Sequence, residues 1–118
     1  MEAIVLAGGK GTRLQSVVFD LPKPMADING KPFLAYQLDF LIENGIKRFV
    51  LSVGYKSEFI IQYFKNSYRN VPIEYAIETQ PLGTGGAIKY ALSKCISENV
   101  FVINGDTYLE VQMIISFL

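Results

Sequence analysis

Apolar, strand-like runs alternate with helix-like segments along these 118 residues, and this predicts an α/β fold: a parallel sheet of order 3-2-1-4 with right-handed crossovers and flanking helices. Ala3-Ile4-Val5-Leu6-Ala7 and Val100-Phe101-Val102-Ile103 are apolar throughout, as strands buried on both faces must be. Ile73, Tyr75 and Ile77 alternate with Glu74, Ala76 and Glu78, which puts the third strand toward an edge with one face partly wet. In this order the winding reverses between strands one and four, and ligands bind in the crevice outside their carboxyl ends.

Each element has its own signal. Gln15 to Lys31 shows neither helical nor strand periodicity, and a loop that long in a small domain is usually functional. Pro32 suits the first turn of a helix whose Leu34, Leu38, Leu41 and Ile42 share one face, and Gly45 supplies its stop. Arg48 to Val53 is the second strand. Ser57 is placed to cap the next helix, with Ile60, Ile61, Phe64 and Tyr68 on one side; this spacing makes Tyr63, Phe64 and Tyr68 core and rim, not a base-stacking platform. Gln80 to Ala87 is a glycine-rich loop opening a helix with Ala87, Ile88, Ala91, Leu92 and Cys95 on its apolar face. Val111 to Leu118 begins another helix or strand. Without a further strand, strand four would be an exposed edge, so an incomplete version of a larger domain is expected.

Composition narrows the function. Residues 1–118 fit one domain; half are hydrophobic and 19% charged, which supports a packed core. Lys+Arg equals Asp+Glu at 11 each with no basic block, so the footprint of a nucleic-acid binder is absent and the ligand should be small. No apolar run reaches the length of a membrane span and no basic leader precedes one, so a cytoplasmic location is expected. Cys95, on the apolar face of the predicted helix, reads as a core thiol. The chain has no histidine, which excludes Ser-His-Asp and Cys-His relays and imidazole metal sites built from this chain alone. Chemistry must rest on carboxylates, cations, backbone dipoles and an oxygen-liganded metal.

The stretch Leu6-Ala7-Gly8-Gly9-Lys10-Gly11-Thr12-Arg13-Leu14 carries the most specific signal. Glycines directly after a buried strand let the backbone approach a ligand, and successive N–H groups there form an anion-binding concavity. A Walker A loop would need glycine where Ile4 stands and a hydroxyl where Gly11 stands; a dinucleotide fingerprint would need a small residue in place of Leu14. Neither fits. Pro22 and Pro24 stiffen the backbone around Lys23, so its ammonium is delivered from a rigid arm. At the end of strand four stand Asn104-Gly105-Asp106.

These residues suit nucleotidyl transfer. Backbone N–H groups from Gly8 to Thr12 would cradle phosphates, Arg13 would neutralise the departing pyrophosphate, and Lys23 would act on the α-phosphate and the sugar phosphate. Asp106 would hold Mg²⁺, a hard cation satisfied by few carboxylates and much phosphate oxygen. The glycine loop with Pro22-Lys23-Pro24 resembles the signature of the nucleotide-sugar pyrophosphorylases, or sugar-1-phosphate nucleotidyltransferases. The resemblance implies a Rossmann-like nucleotidyltransferase domain of which this is the nucleotide-binding half. It implies the same roles for Arg13, Lys23 and Asp106, and a nucleotide pocket of Leu6, Ala7, Gly8, Gly9, Gly11, Thr12, Glu78, Pro81, Gly83, Thr84 and Gly105. Glu78, which can only accept hydrogen bonds, suits the donor pair of guanine better than uracil. GTP with a hexose or heptose 1-phosphate is therefore the expected substrate pair, with GTP and mannose 1-phosphate or UTP and N-acetylmuramate 1-phosphate as the alternatives. A non-catalytic nucleotide-binding module, its sheet completed by a partner or a second copy in a homo-oligomer, is the competing expectation.

Overall fold

The computed structural model describes residues 1–8, 23–80, 82–105 and 111–116, with the backbone alone at Lys23 and 111–116. Its chain order is β1 (Glu2–Leu6), a 3₁₀ turn (Lys23–Met25), β2 (Asp27–Ile28), β3 (Lys31–Pro32), α1 (Phe33–Glu43), β4 (Arg48–Val53), α2 (Ser57–Phe64), β5 (Ser67–Tyr68), β6 (Val71–Ile77), α3 (Gly83–Leu92), β7 (Asn99–Asn104) and β8 (Val111–Ser116). Six strands form one sheet in the order β5-β6-β4-β1-β7-β8. Its four central strands are parallel and realise the 3-2-1-4 order.

The sheet is covered on both faces. Odd residues of β1 (Ala3, Val5) and their neighbours Phe49, Leu51, Val53, Ile73 and Ile103 pack under α1 and α2 through Leu34, Leu38, Leu41, Ile60 and Phe64. Ile4, Val50, Ala76, Val100 and Val102 face the other way and pack under α3 through Ala91, Ile88 and Leu92. Each large apolar side chain fully buried in these layers contributes about 1.5–3 kcal/mol. The period-2 alternation of a strand thus feeds two cores, which is why the central strands are apolar on both sides over most of their length.

Helix α1 ends in a Schellman motif: Gly45 N–H donates to Ile42 O at 3.1 Å and Ile46 N–H to Leu41 O at 3.0 Å, with Gly45 at φ +96°. Ile46 and Leu41 join the same core cluster and seal the end.

Several expectations are corrected. Residues 27–31, expected as part of a loop without periodicity, form with Pro32 a hairpin across Asn29-Gly30, whose φ values of +54° and +83° fit a type I′ turn. Pro32 is the extended residue before α1, not part of its first turn. Ser57 does not cap α2; it is the first helical residue, preceded by Lys56 in the left-handed region. Tyr68 lies in β5, not on a helical face, because α2 stops at Phe64 and the chain turns back through Arg69 and Asn70, both at positive φ. On β6 the alternation slips at its end: Ala76 is fully buried against α3 and Ile77 is 43% exposed. Cys95 follows α3 instead of riding on it, half-buried beside Ala91. The segment from Val111, expected as a helix or strand, is β8, which pairs antiparallel with strand four and covers its edge.

Candidate functional site

The carboxyl ends of β1, β4, β6 and β7 open on one side, and backbone bonds lock them in register. Ala7 N–H donates to Ser52 O at 2.7 Å, Glu78 N–H to Val53 O at 2.8 Å, and Gly105 N–H to Leu6 O at 2.8 Å. Each bond extends a strand pairing by one residue. The chain segments leaving β1, β6 and β7 therefore start side by side.

Gly8, Gly54 and Glu78 meet there. A Cβ added to Gly8 would stand 3.5 Å from Gly54 N and 3.7 Å from Glu78 Oε1; one added to Gly54 would stand 3.5 Å from Gly8 O and 3.6 Å from Glu78 Cβ. The half-buried carboxylate thus lies against bare backbone, a surface on which a flat ring or a phosphate could come close. On the other side of β1 the fit is tighter. A Cβ at Gly105 would fall 2.8 Å from Leu6 O and 3.3 Å from a methyl of Val5, so β7 can leave the sheet here only through glycine.

Of the expected pocket residues, Leu6, Ala7, Gly8, Glu78 and Gly105 gather at these strand ends, Ala7 and Gly105 being buried. Gly83 and Thr84 are exposed at the start of α3, which packs beneath β1, β4 and β6. Gly9, Gly11, Thr12, Arg13, Pro81, Asp106 and the side chain of Lys23 lie outside the described residues. The arm bearing Lys23 is anchored: Pro24 is buried and Met25 packs against the main core under α1.

Two residues at this end were not singled out by sequence patterning. Gly54, the lone glycine after β4, gave no motif to read. Gln37 is fully buried on α1, and its Nε2 donates to Asn104 O at 3.4 Å, tying the helix to the end of β7. Its signal was legible, because Gln37 falls three after Leu34 and four before Leu41, on the buried stripe.

The opposite end of the sheet is closed by Glu2. Its carboxylate, fully buried, accepts from the Arg48 guanidinium, from Ile96 N–H at 2.7 Å and from Ser97 N–H at 2.5 Å, while Arg48 also donates to Lys94 O at 3.0 Å. Burial alone would raise the pKa of Glu2, but the Ser97 N–H, Arg48 and the Ile96 N–H outweigh it and hold the carboxyl below its ordinary value. Cys95 sits nearby. Burial, aided by the charge of Glu2, pushes its thiol up to about 11, so it stays protonated and unreactive at neutral pH, as a core thiol should.

Among the described residues, no three metal-ligating side chains cluster and no helix is long and apolar enough to cross a membrane.

A parallel sheet of this order, with a glycine-lined crevice at its strand ends, defines a doubly wound α/β protein. The chain belongs to the nucleotidyl transferase family, whose model matches residues 2–115. It is 56% identical, over 96% of its length, to the D-glycero-α-D-manno-heptose 1-phosphate guanylyltransferase of Aneurinibacillus thermoaerophilus, and 50% identical over the same share to that of Campylobacter jejuni. Among solved structures it resembles HddC from Yersinia pseudotuberculosis complexed with GMP-PN, with a TM-score of 0.80 and 48% identity over 91% of the chain. The chain spans about half the length of these relatives, 49% and 51% of the two enzymes and 48% of the solved one.

Proposed function

We propose that the chain forms the nucleotide-binding part of a sugar-1-phosphate guanylyltransferase, which moves GMP from GTP to a heptose 1-phosphate and releases pyrophosphate. The observation that carries this reading is the Glu78 carboxylate set against Gly8 and Gly54 at the strand ends. That carboxylate accepts two hydrogen bonds from the N1–H and amino group of guanine, and the bare backbone opposite leaves room for the ring. The relatives named as heptose 1-phosphate guanylyltransferases favour the same base and sugar.

In the reaction, an oxygen of the sugar phosphate attacks the α-phosphorus of GTP and forms a new P–O bond. The bond to the β-phosphate oxygen breaks, and its electron pair leaves with pyrophosphate. The attacking phosphate is already ionised near neutral pH, so no general base is required. Backbone N–H groups from Gly8 to Thr12 hold the triphosphate, Arg13 offsets charge on the departing pyrophosphate, and Lys23 spans the α-phosphate and the incoming phosphate. Asp106, which follows Gly105 in the chain, would hold Mg²⁺, whose charge when bound lowers the repulsion between the reacting phosphates.

The base reading is tested by calorimetric titration with GTP and UTP. GTP is expected to bind more tightly, and Glu78→Gln to reduce that preference by about tenfold, the scale of a bidentate contact to a base. Equal affinity for the two nucleotides in the unaltered chain would refute the assignment. Transfer is tested separately, by pyrophosphate release that needs Mg²⁺ and the sugar 1-phosphate and is lost in Asp106→Ala. Nucleotide binding without that release would favour the module that binds without catalysing.

A further inference from the structure

We propose that Asp39 is a positioning residue: by clamping Lys31 it fixes the hairpin β2–β3 to α1 and so holds the backbone of the Lys23 arm toward a nucleotide's phosphates. The inference rests on the reading above that Lys23 serves a triphosphate.

The arm is short and is held from both sides. Ahead of the hairpin, Pro24 is buried, Met25 packs on the core under α1, and Ala26 O accepts the N–H of Phe33 at 2.9 Å. Behind it, the hairpin has only two residues per strand and buries little; Asp27 to Gly30 are exposed, with Ile28 41% open. A two-stranded ribbon of this size is not stable by itself. Polar contacts to α1 hold it. Lys31 Nζ bonds the Asp39 carboxylate and lies 4.6 Å above the ring of Tyr36, whose hydroxyl donates to Ile28 O at 2.8 Å. Asp39 is itself braced, with Arg69 Nη1 at 3.1 Å from Oδ1. Burial opposes the charge of Asp39, but bonds from Lys31, Tyr68 and Arg69 outweigh it and keep the carboxyl ionised at neutral pH.

This places one carboxylate between two hairpins from distant parts of the chain. Removing the Lys31 contact leaves the Tyr36–Ile28 and Phe33–Ala26 bonds to hold the ribbon, and so loosens one end of the segment whose other end is Lys23. Arg69, 47% exposed and bound to Asp39 from the far side, supports the carboxylate without touching the hairpin.

The test compares affinities for GTP and for guanosine by calorimetry in the 118-residue chain, with melting curves to confirm folding. Asp39→Asn and Lys31→Met are expected to weaken GTP binding about five- to tenfold and leave guanosine within twofold. Arg69→Met is expected to change neither. In a Lys23→Ala background, Asp39→Asn should have no further effect on GTP, since the group it positions is gone. An Asp39→Asn effect that adds in full to that of Lys23→Ala, equal losses for GTP and guanosine, or a neutral Asp39→Asn would overturn the positioning role. If Lys23→Ala leaves GTP affinity intact, the assignment of Lys23 to the phosphates falls as well, and this inference with it.

Discussion

At Gly105 a single hydrogen atom decides whether β7 can reach the crevice. Any Cβ there meets the carbonyl oxygen of Leu6 at 2.8 Å, and that oxygen also accepts the Gly105 N–H, so neither backbone can retreat freely. Gly105→Ala is expected to cost about 1–3 kcal/mol, the range for forced overpacking, and to lower the urea midpoint accordingly. Gly54 tolerates more, because its added Cβ finds ordinary contact distances. The charge of Glu2 matters to folding. Its folded pKa lies below the ordinary 4.5, so its contribution is complete above that value and is lost as pH falls through the folded pKa. Glu2→Gln is expected to lower stability near neutral pH by about 1.5–3 kcal/mol, the value of hydrogen bonds to a charged group. It should also flatten the acid limb of the stability curve, which urea titrations across the acid range would read.

At the scale of elements, the helices are stopped more sharply than they are started. None of the three has a side-chain N-cap bond, and α1 instead relies on its C-terminal motif around Gly45. A side chain at φ +96° strains the backbone by about 1–2 kcal/mol, so Gly45→Ala should lower the melting temperature while leaving nucleotide affinity unchanged, since the motif lies at the sheet end away from the crevice. The two hairpins behave alike. Asn29-Gly30 and Arg69-Asn70 both turn through two residues at positive φ, and Asp39 joins the two ribbons that result.

For the molecule as a whole, the proposed nucleotide site and the buried Glu2 network occupy opposite ends of one sheet. The strand carboxyl ends keep bare backbone and a half-buried carboxylate exposed to a ligand. The amino ends are closed by Glu2 and Arg48, which bind β1, β4 and the approach to β7 into one buried network. The four central strands allow this division because they point the same way, so the connections that enter them lie at one end and those that leave lie at the other.

Local chemistry was enough to specify the sheet order, the buried strands and the family, because these depend on which side chains enter water and on motifs contiguous in the chain. Ala3–Leu6 and Val100–Ile103 had no polar face to offer solvent, so their central place was legible. The Asn29-Gly30 hairpin is also encoded locally, in the dipeptide that a type I′ turn favours. Folding alone decided the rest. Glu2 finds partners more than ninety residues away, Gln37 reaches Asn104 across α1, and Gly54 comes to face Gly8 and Glu78 only when three strand ends align. No period or motif encodes such meetings, because they arise from how the sheet brings together residues that are remote along the backbone.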